Sequence, residues 1–383
     1  MTHDTDEKTV HVIHMVPLGM GGITSLFLNL CEEMKDEGFV FDCLTFRNRE
    51  EPNERNALRY GGKKYVVPMD RYQNAAVRGV YKFFKTISVL KESQADIIHI
   101  HASFPYDILV GVSAKLAGVR HVIFHSHNSS LPHCGAAKRA VMALTRSLIP
   151  LVSDQNLACS ELAADYMFPG SILRQGRYQV LNNGIPVQKY AFSPAIRQEY
   201  RKKLDLDGRW VVGHVGRFTA QKNHGFLLQI FAEIHQKEPN AVLLLLGTGE
   251  LEDTVQSQAE TLRLGSSVIF YGATDQVPEL MQAMDCFLLP SLYEGLPVSV
   301  LEAQAAGLPV YLSDTITGET DIRGDLRYLP LSAPPKEWAD TILAGRSVPW
   351  NRAAECALCQ GSRYDISCVA EQVRDLYMRM AER

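Results

Sequence analysis

Short β-rich apolar runs alternate with helix-spaced apolar patterns along almost the whole chain, and this rhythm restricts the fold more than any other feature. Val10–Val16 is one such run. The turn Pro17-Leu-Gly-Met-Gly-Gly22 follows it, then Ile23, Leu26, Phe27, Leu30 and Met34 at helical spacing, with Gly38 as the stop. Phe41–Phe46, Tyr65–Val67, Ile97–His101, Val122–His127 and Gln155–Cys159 read as further strands, with helical patterns between most of them. Strands joined through helices pair in parallel, so the series predicts an α/β, doubly wound sheet. The rhythm breaks at Val180-Leu-Asn-Asn-Gly-Ile-Pro186 and Phe192-Ser-Pro194. A second series begins at Trp210–Val215 and continues through Val242–Leu246, Val268–Tyr271, Cys286–Leu289 and Val310–Leu312. We therefore expect two domains, residues 1–185 and 190–363, with a linker at about 184–194; 383 residues also exceed one ordinary core. The closing segment 364–383 carries Ile366, Val369, Val373, Leu376 and Met380 on one helical face.

Composition narrows the function classes. A net charge of −4 gives no global field for nucleic acid, and none is expected as a partner. The longest apolar runs, such as Ala241–Leu246, are strand-sized and far too short to cross a bilayer. The start, Met-Thr-His-Asp-Thr-Asp-Glu, is polar and acidic, unlike a signal peptide, so a cytoplasmic location is expected. Cys31, Cys43, Cys159 and Cys286 sit in apolar segments and suit reduced, buried thiols. Cys356-Ala-Leu-Cys359 with Cys368 lacks a second matched pair and reads as helical thiols rather than a zinc site. His99/His101 and His125/His127 alternate, each pair on one strand face, but no nearby Glu-x-x-His or Cys completes a ligand set.

The chemistry concentrates in residues 294–310, Glu-Gly-Leu-Pro-Val-Ser-Val-Leu-Glu-Ala-Gln-Ala-Ala-Gly-Leu-Pro-Val. This segment follows a buried-looking strand. Pro297 fits the first turn of a helix, which Gly307 ends and Pro309 bars from continuing. Loops at the carboxyl ends of parallel strands are where open α/β sheets bind ligands, and Glu294 and Glu302 can accept hydrogen bonds from sugar or ribose hydroxyls there. Gly216-Arg-Phe-Thr-Ala-Gln-Lys-Asn223 follows another strand and precedes a helix of about 223–236. Its Arg217 and Lys222 bring two cations towards a helix N-terminus, an arrangement suited to a diphosphate. Gly247-Thr-Gly249 also follows a strand, and Gly21-Gly22 follows the first strand at a helix start.

The spacing of Glu294 and Glu302, with its Gly-Leu-Pro, Glu-Ala and Gly-x-Pro-Val context, resembles the Glu-x7-Glu signature of the GT4 family of retaining nucleotide-sugar glycosyltransferases. The resemblance extends to bacterial exopolysaccharide and capsule enzymes. It implies the GT-B fold: two facing Rossmann-like domains, an acceptor-side domain 1–185 and a donor-binding domain 190–363, with the last helix crossing back to the first. It further implies that Arg217 and Lys222 hold the donor phosphates, Glu294 the sugar and Glu302 the ribose. Gly216, Gly247, Gly249, Gly295, Leu296, Gly21 and Gly22 line the donor site, and the backbone of Tyr271–Val277 reads the base. A histidine near the transferred sugar maps to His127, or in another register to His125. Asn182-Asn-Gly-Ile-Pro186 resembles the family's junction turn, with Gly184 read as a hinge at positive φ. Thr317-Gly318-Glu319 is one glycine short of the family's paired-glycine loop, which leaves Glu319 without an assigned role.

The implied reaction moves a hexose-type sugar, from UDP by preference, to a glycan or polyprenyl-linked saccharide with retention. Neither cofactor nor metal is expected, since the basic pair neutralises the leaving diphosphate and no Asp-x-Asp follows a strand. The alternative is a catalytically silent subunit that positions a partner. Ser129–Ser153 has no acidic residue but carries Lys138, Arg139 and Arg146 beside Val141, Met142, Leu144, Leu148 and Ile149; Tyr81-Lys-Phe-Phe-Lys85 is a second such patch. These suggest peripheral contact with an anionic membrane, against a core-packed helix with solvated lysines.

Overall fold

A computed structural model of the chain describes residues 9–19, 21–69, 72–128 and 135–382. The acidic start, Met20 of the first turn and residues 129–134 of the basic segment lie outside the described residues. The chain forms two compact units: residues up to Gly184 together with those from Ile366, and Ile185–Asp365. The boundary is thus a single peptide on each side, not the extended linker read from 184–194. Ile185, Val187 and Tyr190 are buried in the core of the second unit, because their apolar side chains belong to the same cluster as Leu280, Met281 and Leu301.

Among its described residues the first unit holds seven parallel strands: β1 (Val10–Met15), β2 (Phe39–Thr45), β3 (Lys64–Val66), β4 (Ile97–Ala102), β5 (His121–Ser126), β6 (Gln155–Ala158) and β7 (Gln179–Val180). Their order, β3-β2-β1-β4-β5-β6-β7, reverses direction between β1 and β4. Alternation sends Val10, Val12, Ile97 and Ile123 to one face, against Leu26, Phe27 and Leu30 of the helix Gly22–Glu33. Ile13, Ile98, Ile100, Val122 and Phe124 go to the other, against Val89, Ile108, Val110 and Ile149. Ile366, Val369, Val373 and Tyr377 of the helix Ile366–Ala381 complete the first of these cores. Gly184 is not at positive φ. Its reason is space: a Cβ there would stand 2.9 Å from Ile366 Cδ1 and 3.0 Å from Ile366 Cα.

The second unit has β8 (Trp210–Val215), β9 (Ala241–Leu246), β10 (Val268–Gly272), β11 (Cys286–Leu289), β12 (Val310–Ser313) and β13 (Arg327–Leu329), all parallel, in the order β10-β9-β8-β11-β12-β13. The order reverses between β8 and β11, so the loops leaving these two neighbours open the crevice in which such sheets bind ligands. After β11 the chain turns into the helix Val298–Ala305. Pro297 is its N-cap rather than a residue of its first turn, and Gly307 ends it at φ +66.

Candidate active site

In the second unit the loops after β8 and β11 meet. Lys222 Nζ lies 2.6 Å from Glu294 Oε1, with side chains only 15% and 7% exposed. Gln221 Nε2 donates to Glu294 Oε2 at 3.0 Å and to the Tyr293 carbonyl, also at 3.0 Å, while its own carbonyl accepts from Leu292 N. Both carboxylate oxygens of Glu294 are therefore held, and its charge is neutralised by a shielded cation. Arg217 differs: it is 73% exposed and touches only the exposed Glu250, at 3.4 Å. Such a pair is worth little, so the guanidinium is cheap to redirect.

Glycine makes this crevice by letting backbones approach. Gly247 sits at φ +137, and a Cβ on it would lie 2.2 Å from the Gly216 carbonyl. One on Gly249 would lie 2.4 Å from the Phe218 carbonyl, and one on Gly216 would press on Lys222 Cδ and Cε at 3.2 Å. The loops after β8 and β9 are stitched by Phe218 N to Thr248 O and Leu251 N to Phe218 O. Gly295 is exposed, and Leu296 is half-buried against the core. Glu302, on the helix Val298–Ala305, accepts a 2.7 Å hydrogen bond from Tyr190 Oη; burial raises its pKa, with that bond opposing. Tyr190 was not singled out in the sequence, where it reads as a linker aromatic. Glu319 contributes its carbonyl to Tyr364 Oη rather than its side chain to the crevice loops.

In the first unit Gly21 caps the helix Gly22–Glu33 in extended conformation, with open space where a Cβ would stand. His125 lies within β5 and His127 one residue beyond it, its N–H bonded to the Ala102 carbonyl. They belong to a larger group. His14 on β1 pairs in register with His99 on β4, and His101 pairs with His125 on β5. All five rings share the carboxyl half of one sheet face, and Tyr377 of the C-terminal helix reaches them. Burial pushes His14 and His127 down to about 3, the Asn183 side chain partly opposing at His127. His99, His101 and His125 are lowered too, by burial first and neighbouring rings second.

Sequence reasoning missed His14 as the partner of these histidines because it stands alone in an apolar strand. Among the described residues, His14/His99/His101 and His101/His125/His127 are compact enough for a metal, with ligand atoms within 4.8 Å. A shared metal must lie in the plane of every ring that binds it. The first trio is stacked within 26° of parallel at 4.4–5.3 Å, so its lone pairs run side by side.

A cavity of about 300 Å³ opens beside His101, lined also by Arg47, Lys82, Phe104, Tyr106 and Asp107. Lys82 Nζ stands 3.8 Å over the Phe46 ring, and burial lowers its pKa. On the basic helix Ala136–Val152, Met142 and Ile149 face the core, and Arg146 is bonded to the carbonyls of Asp165 and Phe168. Leu144 and Leu151 are exposed, as are Val77, Val80 and Phe84 of the helix Ala75–Ser93. Among the described residues no helix is long and apolar enough to cross a membrane.

Two α/β units, each a parallel sheet with a strand-order reversal, are the architecture of the GT-B fold. The structure of HepE from Anabaena, in complex with UDP and glucose, matches with a TM-score of 0.77 over 96% of this chain and 99% of HepE, at 17% identity. WaaG, a glycosyltransferase involved in lipopolysaccharide biosynthesis, matches at 0.64 over 96% and 99%, also at 17% identity. The Glycosyltransferase Family 4 model matches residues 20–189, and that of Glycosyl transferases group 1 matches residues 196–342. EpsF of Bacillus subtilis (strain 168), assigned as a glycosyltransferase, is 33% identical over 345 residues, 89% of this chain and 88% of EpsF. The chain belongs to the GT4 family of glycosyltransferases. An Escherichia coli enzyme, UDP-Gal:alpha-D-GlcNAc-diphosphoundecaprenol alpha-1,3-galactosyltransferase, is 26% identical over 326 residues, 80% of this chain and 79% of its own.

Proposed function

We propose that this chain transfers a hexose from UDP to a glycan or polyprenyl-linked saccharide, with retention, in the assembly of an exopolysaccharide or capsule. The observation that carries the reading is the shielded Lys222–Glu294 pair beside an exposed Arg217. An arriving diphosphate offers Lys222 a second anion. As the ammonium turns towards it, Glu294 is released to accept hydrogen bonds from sugar hydroxyls. Charge that develops on the leaving phosphate then meets Arg217 and Lys222, electrostatic stabilisation of the kind that costs no reorganisation when the bond breaks. The departing phosphate takes the acceptor proton, and Glu302, oriented by Tyr190, holds the ribose. HepE binds UDP and glucose, and the Escherichia coli relative uses a diphosphoundecaprenol acceptor; both support the choice of substrates. The exposed apolar residues of Ala75–Ser93 and Ala136–Val152, with Lys138 and Arg139, give a lipid-linked acceptor's membrane a surface to meet.

The test is a thermal-shift panel of UDP, GDP, ADP and their sugars on wild type and Arg217→Ala, followed by transfer to a polyprenyl-diphosphate saccharide. Stabilisation by UDP that Arg217→Ala loses, and a product with the donor's anomeric configuration, are expected. Nucleotide binding without transfer to any acceptor would identify a silent subunit, and an inverted product would sink the retaining mechanism.

A further inference from the structure

Glu302 is held on one side only. The helix Val298–Ala305 buries Ser299, Val300, Leu301, Ala303, Gln304 and Ala305, so Glu302 is the one position past its first residue that stays half-buried. Its Oε1 takes the Tyr190 Oη proton at 2.7 Å, and its Oε2 has no hydrogen-bond partner among the described residues. One oxygen is fixed in direction and the other is open to a hydroxyl. Tyr190 is 5% exposed, and a buried phenol that finds a carboxylate makes a bond of the stronger, charge-assisted kind.

What fixes Tyr190 in turn is a side chain from a distant helix. Gln282, 1% exposed, lies on the helix Val277–Ala283. Its Nε2 donates to the Tyr190 carbonyl at 2.9 Å and to the Pro278 carbonyl at 3.3 Å, and its Oε1 accepts from Ser193 N at 3.1 Å. A carbonyl and an N–H at this spacing are the pair that a closed turn joins directly. Here no direct bond links them, and the amide stands between, bonded to each. Ala191 N and Phe192 N are committed to the Gln188 carbonyl and to Cys356 Sγ, so neither closes the turn in the amide's place. The carbonyl of Gln282 itself accepts from Arg197 and Arg352, which anchors the amide's own backbone.

We propose that Gln282 is a positioning residue for nucleotide binding: its amide sets the turn that carries Tyr190, Tyr190 holds Glu302 Oε1, and Oε2 is thereby presented to a ribose hydroxyl. This rests on the reading that Glu302 meets the ribose. The donor class it favours is a nucleoside diphosphate with free ribose hydroxyls. The helix that bears Gln282 starts at Val277, where the segment expected to read the base ends, so one amide ties the base side of the site to its ribose side. Without the amide or the phenol, nothing orients the half-buried carboxylate in advance. The ribose must then order it on binding, and the gain from each hydroxyl shrinks.

Calorimetric titration of the full chain with UDP and with 2′,3′-dideoxy-UDP separates the ribose contact from the rest of the nucleotide. Wild type should bind UDP roughly ten- to a hundredfold more tightly, the scale of hydrogen bonds to a charged group. Tyr190→Phe and Gln282→Met should each bring UDP close to the dideoxy ligand, whose own affinity holds. A variant that merely loosens the fold weakens both ligands alike, so equal losses overturn the proposal, as does an unchanged preference in either variant. Should Gln282→Met fail to fold, Gln282→Glu keeps an acceptor for Ser193 N but sets an oxygen against the Tyr190 carbonyl; a wild-type preference there overturns the proposal too. Glu302→Ala marks the reading beneath it. A preference lost in Glu302→Ala but kept in Tyr190→Phe refutes the positioning chain alone. A preference kept in Glu302→Ala, or absent from wild type, refutes the ribose reading, and a wild type that binds neither ligand refutes the nucleotide reading itself.

Discussion

Arg217 and Lys222 carry the same charge but separate experimentally, because one is exposed and the other is paired in shelter. Arg217→Ala removes no structural contact of weight, so the melting temperature without ligand should hold while stabilisation by UDP is lost. Lys222→Ala strands Glu294 with only Gln221 as partner. Removing one member of a buried pair costs about 3–5 kcal/mol, so this variant should melt at lower temperature even without ligand, as calorimetry reads directly. Its turnover should fall roughly 10²–10³-fold, the usual loss when one donor to a developing oxyanion is removed. Equal melting temperatures for the two variants would contradict the sheltered pair. The histidines make a pH prediction of definite sign. With native pKa values depressed, the unfolded chain binds more protons than the native one between the ordinary histidine value near 6.5 and about 3. Stability is then complete above that upper value and lost as pH falls, by about 1.4 kcal/mol per pH unit for each ring fully engaged. A stability flat between neutral pH and pH 5 would show that the rings are already charged or solvated in the native state.

At the scale of elements, long periodic segments were legible and short or distant ones were not. Eleven of the thirteen strands among the described residues follow from β-rich runs in the sequence, within a residue or two of their ends. β7 and β13 escaped because two or three residues carry no period, and their pairing is imposed by the sheet edge they extend. The basic pair and Glu294 were readable since each stands between a strand and a helix that announce it, and Glu302 since it follows at a fixed spacing on that helix. Tyr190 and His14 were not, because their meaning depends on register and packing between segments far apart in sequence. Gly184 shows the same limit: its turn context suggested a positive φ, whereas the structure needs it for contact with a helix 182 residues later at Ile366. Gly184→Ala should accordingly destabilise the protein by about 1–3 kcal/mol through overpacking. Ile366→Ala should not rescue it, since Ile366 Cα is also in the way; rescue in a urea titration would point to side-chain crowding alone.

At the scale of the molecule, the second unit is continuous in sequence and the first is not. A fragment of residues 185–365 should fold alone and gain thermal stability from UDP, while residues 1–184 should need 366–383, supplied in trans, to become soluble. The three tryptophans Trp210, Trp338 and Trp350 all lie in the second unit, so their fluorescence reports it and circular dichroism reports both. On acidification the dichroism should change first, because the first unit buries five histidines with lowered pKa values and the second buries two, His214 and His224. Coincident transitions would mean that the units unfold as one. The discontinuity also has a temporal side. Ribosomes add about 5–20 residues each second, so after Gly184 emerges the first unit waits on the order of ten to forty seconds for its closing helix. The domain made first is finished last, and through that interval its apolar sheet face depends on chaperones or on its own sluggish collapse. A chain cut short anywhere in the second unit lacks Tyr377 and the helix that bears it, and so reaches the cell's proteases with its earliest domain still open.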